Sequence, residues 1–301
     1  MSTMGETLSS HGDTLFLDRR RKQQMAHTRG KSMRTVISKD GTTIAFDQSG
    51  QGPALILVAS ASATRKDQAS LAAALAPHFT VLAYDRRGRG ESGDTAPYAV
   101  EREVEDLDAL ITEAGGSAFV FGHSSGAVLA LEAARRLSGK ITKLALYEPP
   151  FIIDDSRPPL PQNAAAHLTR LVSSGRRGEA VEYFLTQLGL PAEMIAQMRH
   201  SPMWPGQEAV AHTLAYDVTI MGDTQSGDPL PLRKWASVTV PTLVLDGTVF
   251  LGRADRHVFL HHGAQELATI LPDARLRTLE GQDHGPADEV LAPALREFFL
   301  G

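Results

Sequence analysis

The sequence contains no cysteine. This absence excludes disulfide bonds, thiolate metal sites and a cysteine nucleophile, and it is compatible with a reducing compartment. No apolar run approaches the roughly 20 residues that a membrane-spanning helix needs, and the first residues lack the apolar segment of a secretory signal. We therefore expect a cytoplasmic protein with no membrane partner.

Excess charge is also lacking, because the formal net charge is only −5 over 301 residues. This value gives no reason to expect nucleic acid or an anionic membrane as a partner. With 42% hydrophobic residues, a chain of this length can bury a full core, and it suits one large α/β domain with an insertion. We expect a monomer or a homodimer.

Residues 1–32 are polar and carry the basic run from Arg19 to Lys22. Such a run can act as a targeting or nucleic-acid-binding arm. The segment has few apolar residues to offset the entropy lost on ordering, so we predict a disordered leader.

From residue 33 onward, short apolar runs alternate with helical patterns. Ala54 to Val58 is continuously apolar, as expected for a strand that is covered on both faces. The alternation over residues 33–148 predicts an α/β fold with a doubly wound, mostly parallel sheet. The alternation of strands and helices stops over residues 149–236, where prolines and several helical patterns predict a cap on the carboxyl edge of the sheet. It resumes over residues 237–301, which we interpret as the second part of the core.

The most informative motif is Gly122-His123-Ser124-Ser125-Gly126. A β-prone run precedes it and a helical pattern follows it, so the three parts together predict a nucleophile elbow. The sharp turn exposes the serine hydroxyl, and glycines flank it because a Cβ atom would collide with the neighbouring strand or helix. The pentapeptide alone is also compatible with a plain turn, but its flanks favour Ser124 as a nucleophile.

A serine hydroxyl needs a base to take its proton, and histidine is the usual base. Of the eleven histidines, His284 lies in the loop between the last predicted strand and helix, late in the chain, as the order Ser, acid, His requires. We expect His123 to serve in packing. His257, His261 and His262 lack a nearby acidic or cysteine third ligand, so we interpret them as surface histidines and predict no metal site.

In these motifs the sequence resembles the α/β-hydrolase family, from Met33 to Leu300. The marks of the resemblance are the elbow, the run from Gly281 to Gly285, and the run from Asp85 to Ser92, which is similar to the family's D-x-R-G-x-G-x-S. The resemblance implies that the arginines of this last loop are scaffolding rather than an anion site. It also implies that no metal or organic cofactor is required.

One departure from the family concerns the oxyanion hole. The family usually has His-Gly after its third strand, where a backbone N–H helps to hold the oxyanion, and this chain has Ala59-Ser60-Ala61-Ser62. Because the donor belongs to the backbone, the different side chains in this segment do not remove the oxyanion hole. The resemblance therefore assigns it to the N–H groups of Ala61 and Ser125.

A second departure concerns the acid, which the family usually places about three residues past a glycine such as Gly247. That position is Phe250 here. The alternatives are Glu148, at the end of the strand predicted over 141–147, and Asp255; we expect Asp246 to lie within its strand and to point elsewhere. We favour Glu148, because haloalkane dehalogenases and fungal lactone hydrolases of the family carry a glutamate there.

The resemblance implies a cofactor-independent serine hydrolase that cleaves a small, mostly apolar ester or lactone through an acyl-enzyme. Serine at the elbow argues against dehalogenase and epoxide hydrolase activity, since both use aspartate there. Carbon–carbon bond hydrolysis and perhydrolysis use the same three residues and stay open. Two further alternatives also stay open. The chain could be a ligand-binding protein on the same scaffold or an interaction protein that uses the basic leader.

Overall fold

The fold is organised around one sheet. A computed structural model describes residues 33–250 and 257–301, and the predicted leader lies outside the described residues. The strands are β1 (Arg34–Ile37), β2 (Thr43–Ser49), β3 (Ala54–Val58), β4 (Thr80–Tyr84), β5 (Ala118–His123), β6 (Ile141–Tyr147), β7 (Thr242–Asp246) and β8 (Ala274–Thr278). They form an eight-stranded sheet in the order β1-β2-β4-β3-β5-β6-β7-β8.

The direction of the strands confirms the predicted doubly wound sheet. β1 and β2 form an antiparallel hairpin, and β2 also pairs antiparallel with β4. From β4 through β3, β5, β6 and β7 to β8, every neighbouring pair is parallel. Because the carboxyl ends of parallel strands meet at one edge, the segments that follow β3 to β8 can converge there.

Helices cover both faces of the sheet. The flanking helices are α1 (Ala69–Leu75), α2 (Val100–Glu113), α3 (Ser125–Arg136), α9 (Val258–Ile270) and α10 (Asp288–Leu300). In β3, Ile56 and Val58 belong to the apolar cluster shared with α2, α3 and α9. Leu55 and Leu57 belong to the cluster shared with α1 and α10. This two-sided burial explains why β3 reads as an unbroken apolar run.

A helical segment lies between β6 and β7. Its helices are α4 (Ala164–Ser173), α5 (Arg177–Gln187), α6 (Ala192–Arg199), α7 (Trp204–Ala209) and α8 (Leu214–Met221). Residues 149–236 contain no strand, and all of them lie in the described part of the chain. Leu168, Leu185, Trp204 and Leu214 meet in a buried apolar cluster, so this segment has a core of its own. Among the described helices, none combines the length and apolarity needed to cross a membrane.

Candidate active site

Ser124 lies on the sharp turn between β5 and α3. Its φ of 56° and ψ of −123° are unusual for a residue with a side chain. A Cβ atom on Gly122 would lie 2.5 Å from the carbonyl oxygen of Gly126, and one on Gly126 would lie 2.4 Å from that of Val58. Both glycines are therefore required where the turn passes between α3 and β3. This geometry is that of a nucleophile elbow.

Backbone strain is concentrated around this turn. Among the described residues, the non-glycine residues with positive φ are Ser62, Ser124 and Glu148, at 59°, 56° and 45°. Ser62 follows β3 and Glu148 directly follows β6, so all three stand just beyond the carboxyl ends of central strands. Such conformations cost free energy and tend to cluster at functional sites.

A line of hydrogen-bonding groups runs from Ser124 into the protein. The Oγ atom of Ser124 lies 3.0 Å from Nε2 of His284. The Nδ1 atom of the same ring lies 2.6 Å from Oε2 of Glu148. The structure thus brings together Ser124, His284 and Glu148, which lie after three different strands. In this arrangement the imidazole can take a proton from the hydroxyl while the carboxylate accepts from its other nitrogen.

Glu148 is completely buried, and three donors surround its carboxylate. Besides His284, the N–H of Gly247 donates to Oε1 at 2.8 Å and Nε2 of His257 lies 3.0 Å from the same oxygen. Burial by itself raises the pKa of this carboxyl, but the bonds from His257, His284 and Gly247 outweigh it and lower the pKa to about 2. Glu148 is therefore ionised at neutral pH. We call Glu148, His257 and His284 the histidine cluster.

The loop that carries His284 is held by two side chains from the central strands. His123 donates from Nε2 to the carbonyl oxygen of His284 at 2.7 Å, and the hydroxyl of Tyr147 donates to that of Asp283 at 2.7 Å. Burial and the proximity of His284 lower the pKa of His123 to about 3, so its ring is neutral. The packing role expected for His123 thus includes a specific hydrogen bond to the backbone of the loop that carries His284.

The prediction that three neighbouring histidines lie on the surface was wrong for His257, which is 5% exposed and faces Glu148. His257 directly precedes α9, where it is buried against Glu148 at the end of β6. His261 and His262 are partly exposed and contact Asp246 and Asp154, respectively. Within residues 33–250 and 257–301, no group of three or more potential ligands could hold a metal ion.

The alternative acid, Asp255, lies outside the described residues. Phe250 occupies the position where the family usually has an aspartate, and its ring packs edge-on against that of His284 at 5.6 Å. Asp246 is the last residue of β7, as expected, and its Oδ2 contacts His261 rather than His284.

The arginines that follow β4 are buried and paired with carboxylates. Arg86 binds Glu103 through two nitrogens at 2.7 and 2.8 Å, and it contacts Asp217 of α8 at 2.8 Å. Arg89 contacts the other oxygen of Asp217 at 2.7 Å. We call Arg86, Arg89, Glu103 and Asp217 the arginine cluster. Its charges compensate one another, so it serves as scaffolding and not as an anion site.

The arginine cluster also reaches the predicted oxyanion segment. Arg89 donates to the carbonyl oxygen of Ser60 at 2.7 Å, and Arg86 donates to that of Ala59 at 3.3 Å. The hydroxyl of Ser125 donates to Asp217 at 2.7 Å. The cluster therefore binds backbone carbonyl groups on one side of the predicted hole, before Ala61, and the side chain of Ser125 on the other.

A cavity of about 700 Å³ opens above Ser124 and His284. Ala61, Ser62 and Ser125 line it next to the serine. The helical segment supplies much of the opposite wall, with apolar side chains that include Val181, Phe184, Leu185, Leu188, Val218 and Met221. The volume is in the range of small-molecule sites.

Sequence reasoning missed three residues that support this site. For His257, which is buried against Glu148, the sequence gave only a weak signal, namely its place in a histidine-rich run. No sequence signal pointed to Tyr147, because its contact with Asp283 spans 136 positions. No sequence signal pointed to Asp217 either. It lies 92 positions from Ser125, and the pattern of its helix does not distinguish it from the other polar residues there.

Comparison with known proteins places the chain among hydrolases. Residues 55–294 match the family model described as alpha/beta hydrolase family. An alpha/beta hydrolase from Sphaerobacter thermophilus, known from its crystal structure, is 54% identical. That match covers 88% of this chain and 100% of the other, with a TM-score of 0.80.

Two curated relatives are similar over shorter stretches. The uncharacterized hydrolase YraK of Bacillus subtilis is 32% identical over 113 residues, which cover 36% of this chain and 42% of that protein. Lipase LipV of Mycobacterium tuberculosis is 33% identical over 82 residues, which cover 27% of this chain and 31% of that protein. The chain thus spans less than half the length of the curated relatives that it matches.

Proposed function

The chain belongs to the alpha/beta hydrolase family, and on that premise we propose that it is a serine hydrolase that cleaves a carboxylic ester or a lactone. In this proposal Ser124 is the nucleophile, His284 the general base and Glu148 the acid. The substrate is a small molecule with a largely apolar body. The reaction proceeds through an acyl-enzyme and requires no cofactor.

One observation carries the proposal: the hydrogen-bonded line from Ser124 through His284 to Glu148 at the floor of the cavity. Both distances, 3.0 and 2.6 Å, are within hydrogen-bonding range. Glu148 holds the ring with Nδ1 protonated, which leaves the lone pair of Nε2 directed at the serine hydroxyl. The low pKa of Glu148 supports its role, because an ionised carboxylate stabilises the imidazolium that forms during attack.

The chemistry follows from these positions. Ser124 attacks the carbonyl carbon while its proton moves to Nε2 of His284, and a tetrahedral intermediate forms. His284 then gives the proton to the departing alcohol oxygen, which leaves an acyl group on Ser124. A water molecule activated by His284 attacks this acyl group and releases the carboxylic acid and the free serine.

Two backbone donors are proposed to hold the oxyanion, the N–H groups of Ala61 and Ser125. Ser125 is the first residue of α3, where unpaired N–H groups and the helix dipole favour negative charge. Ala61 lies in the segment whose carbonyl groups are bound by the arginine cluster. Donors fixed in advance lose little free energy in reorganisation when charge develops on the substrate.

We further propose that residues 149–236 act as a cap over a core made of residues 33–148 and 237–301. Apolar side chains from α5 and α8 line the cavity opposite Ser124. A cap of this composition selects a substrate with a mostly apolar body, because the apolar part gains free energy when it leaves water.

The test is turnover of short p-nitrophenyl esters and of a simple lactone by the wild-type protein and by Ser124→Ala and His284→Asn. We expect hydrolysis by the wild type and a loss of about 10⁴-fold or more in either variant. Circular dichroism confirms that the variants fold. Hydrolysis that survives in Ser124→Ala would refute the assigned nucleophile. No hydrolysis by the wild type, with saturable binding of the same esters, would favour a ligand-binding protein.

A further inference from the structure

A cation without a carboxylate partner lines the cavity above Ser124. Arg157 lies on the proline-rich segment between β6 and α4 and is only partly exposed. Its side chain donates to the carbonyl oxygen of Gln187, at the end of α5, and its guanidinium lies 4.5 Å from the centre of the Phe259 ring. Among the described residues, no carboxylate forms an ion pair with it.

This environment differs from that of the four buried arginines among the described residues. Arg65, Arg86, Arg87 and Arg89 each contact at least one carboxylate. Around Arg157, burial lowers the pKa of the guanidinium, and no charge among the residues that the structure describes opposes that effect. Taking a cation out of water without a counter-charge is unfavourable, so such a group gains most from a ligand that brings the charge.

The position of Arg157 connects it to the reacting groups. Phe259, on which it stacks, packs edge-on against Phe250 at 5.6 Å, and Phe250 packs against His284 at the same distance. Phe250, Phe259 and Arg157 therefore form one wall of the cavity that leads to His284. The ring and the carbonyl oxygen fix the guanidinium and leave the rest of its donors for a ligand.

Within the described ranges two carboxylates also line the cavity, and neither compensates Arg157. Asp217 is bound by Arg86 and Arg89. Asp67 is exposed and accepts hydrogen bonds from the backbone N–H and the hydroxyl of Thr64, at 2.7 and 2.9 Å.

We propose that Arg157 binds an anionic group of the substrate, so that the enzyme prefers esters or lactones that carry a carboxylate at the end of an apolar body. The proposal rests on the function proposed above and narrows its substrate class. Arginine binds a carboxylate with charge-assisted hydrogen bonds, and its planar fork can make two of them at once. The apolar lining accommodates the rest of the molecule.

The test compares two p-nitrophenyl esters that differ in one group, the hexanoate and the mono-ester of adipic acid, whose acyl chain ends in a carboxylate. The quantity measured is the ratio of their kcat/KM values. We expect Arg157→Gln to lower the ratio of adipate to hexanoate about 10- to 100-fold, mainly through the KM of the adipate ester. Arg157→Lys keeps the charge and should give an intermediate ratio. Arg176→Gln, which removes an exposed arginine paired with Glu179, should leave the ratio unchanged.

An unchanged ratio in Arg157→Gln would overturn the proposal, because a purely structural role lowers both activities alike. If the wild type hydrolyses neither ester, the proposed function fails, and binding still tests Arg157. The probe is then 4-phenylbutyrate, an apolar body with one carboxylate. A rise in Tm at millimolar concentration in the wild type and not in Arg157→Gln supports the anion site. No rise in the wild type, or an equal rise in both, contradicts it.

Discussion

Two groups of buried charges meet the nucleophile elbow at adjacent residues. The histidine cluster contacts Ser124 through His284, and the arginine cluster contacts Ser125 through Asp217. Each contains fully or almost fully buried carboxylates with lowered pKa values, in Glu148 and in Asp217. The two clusters are therefore alike in that each holds a buried, ionised carboxylate.

The difference lies in what the carboxylates face. In the arginine cluster they face guanidiniums, which keep their protons at any accessible pH. All of its side chains are 2% exposed or less, and each of its charged groups is paired within the cluster. In the histidine cluster Glu148 faces the imidazoles of His257 and His284, and an imidazole nitrogen can donate or accept a proton. The His284 side chain is 30% exposed and reaches the cavity. The comparison teaches that buried charge fixes geometry in one cluster and can assist proton transfer in the other.

Among changes to the residues that surround Ser124 and His284, the largest effect should come from Glu148→Gln. The amide keeps the volume but no longer favours the His284 tautomer that accepts the serine proton, so turnover should fall about 10²- to 10⁴-fold. The measurement is kcat on the best p-nitrophenyl ester. Asp255→Asn is the matched control, because Asp255 is the alternative acid, and it should cost little. A larger loss in Asp255→Asn than in Glu148→Gln would transfer the role to Asp255.

The arginine cluster should respond in stability rather than in proton transfer. Asp217→Asn leaves two buried guanidiniums with one carboxylate fewer, and removing one partner of a buried ion pair costs about 3 to 5 kcal/mol. Urea unfolding measures this loss. Glu182→Gln removes an ion pair between exposed side chains, with Arg199, and should cost less than about 1 kcal/mol. Equal unfolding midpoints for the two variants would contradict the role of the cluster.

Acid should weaken the fold through the histidine cluster. The pKa of Glu148 is lowered from 4.5 in the unfolded chain to about 2 in the fold. Its ionised form therefore stabilises the fold above pH 4.5, and this contribution disappears as the pH falls toward 2. The shift corresponds to about 3 kcal/mol. Urea unfolding of the wild type and of Glu148→Gln, at pH 5 and at pH 3, measures it. The stability difference between the two proteins should shrink at the lower pH, and a constant difference would contradict the assignment.

The smallest effect should come from His257→Gln. His257 is a positioning residue, since it touches Glu148 and not Ser124, and its loss removes one donor from a carboxylate that keeps two others. We expect a fall of about tenfold in kcat, the lower end for loss of a hydrogen bond to a charged group. His261→Gln is the control, because His261 contacts Asp246 instead. The two variants should differ also in acid stability, where only His257→Gln alters the environment of Glu148.

Local pattern was enough to predict most of the fold. The strand over residues 141–147 has the predicted bounds, and the elbow and the helical segment were predicted from alternation, turn residues and prolines. These features depend on residues close together in the chain. His284 lies within hydrogen-bonding distance of Ser124 on one side and of Glu148 on the other, because each of the three follows a strand that ends at the same edge of the sheet, and the roles predicted for them stay predictions.

The supporting contacts depend on distant pairs that a single sequence does not specify. The contact of His257 with Glu148 spans 109 positions, and that of Arg86 with Asp217 spans 131. The histidine-rich run that contains His257 gave only a weak sign of burial, so His257 was interpreted as a surface residue. That no carboxylate in the described part of the chain pairs with Arg157 is likewise visible only in the folded arrangement.

Labelling by a fluorophosphonate, followed by intact-protein mass spectrometry, tests most directly whether the histidine cluster activates Ser124. The account predicts one adduct per chain on Ser124, no adduct in Ser124→Ala, and labelling that is slowed strongly in His284→Asn and in Glu148→Gln but little in the control His261→Gln. An adduct on another residue, or labelling of Ser124 at the wild-type rate without His284, would contradict it.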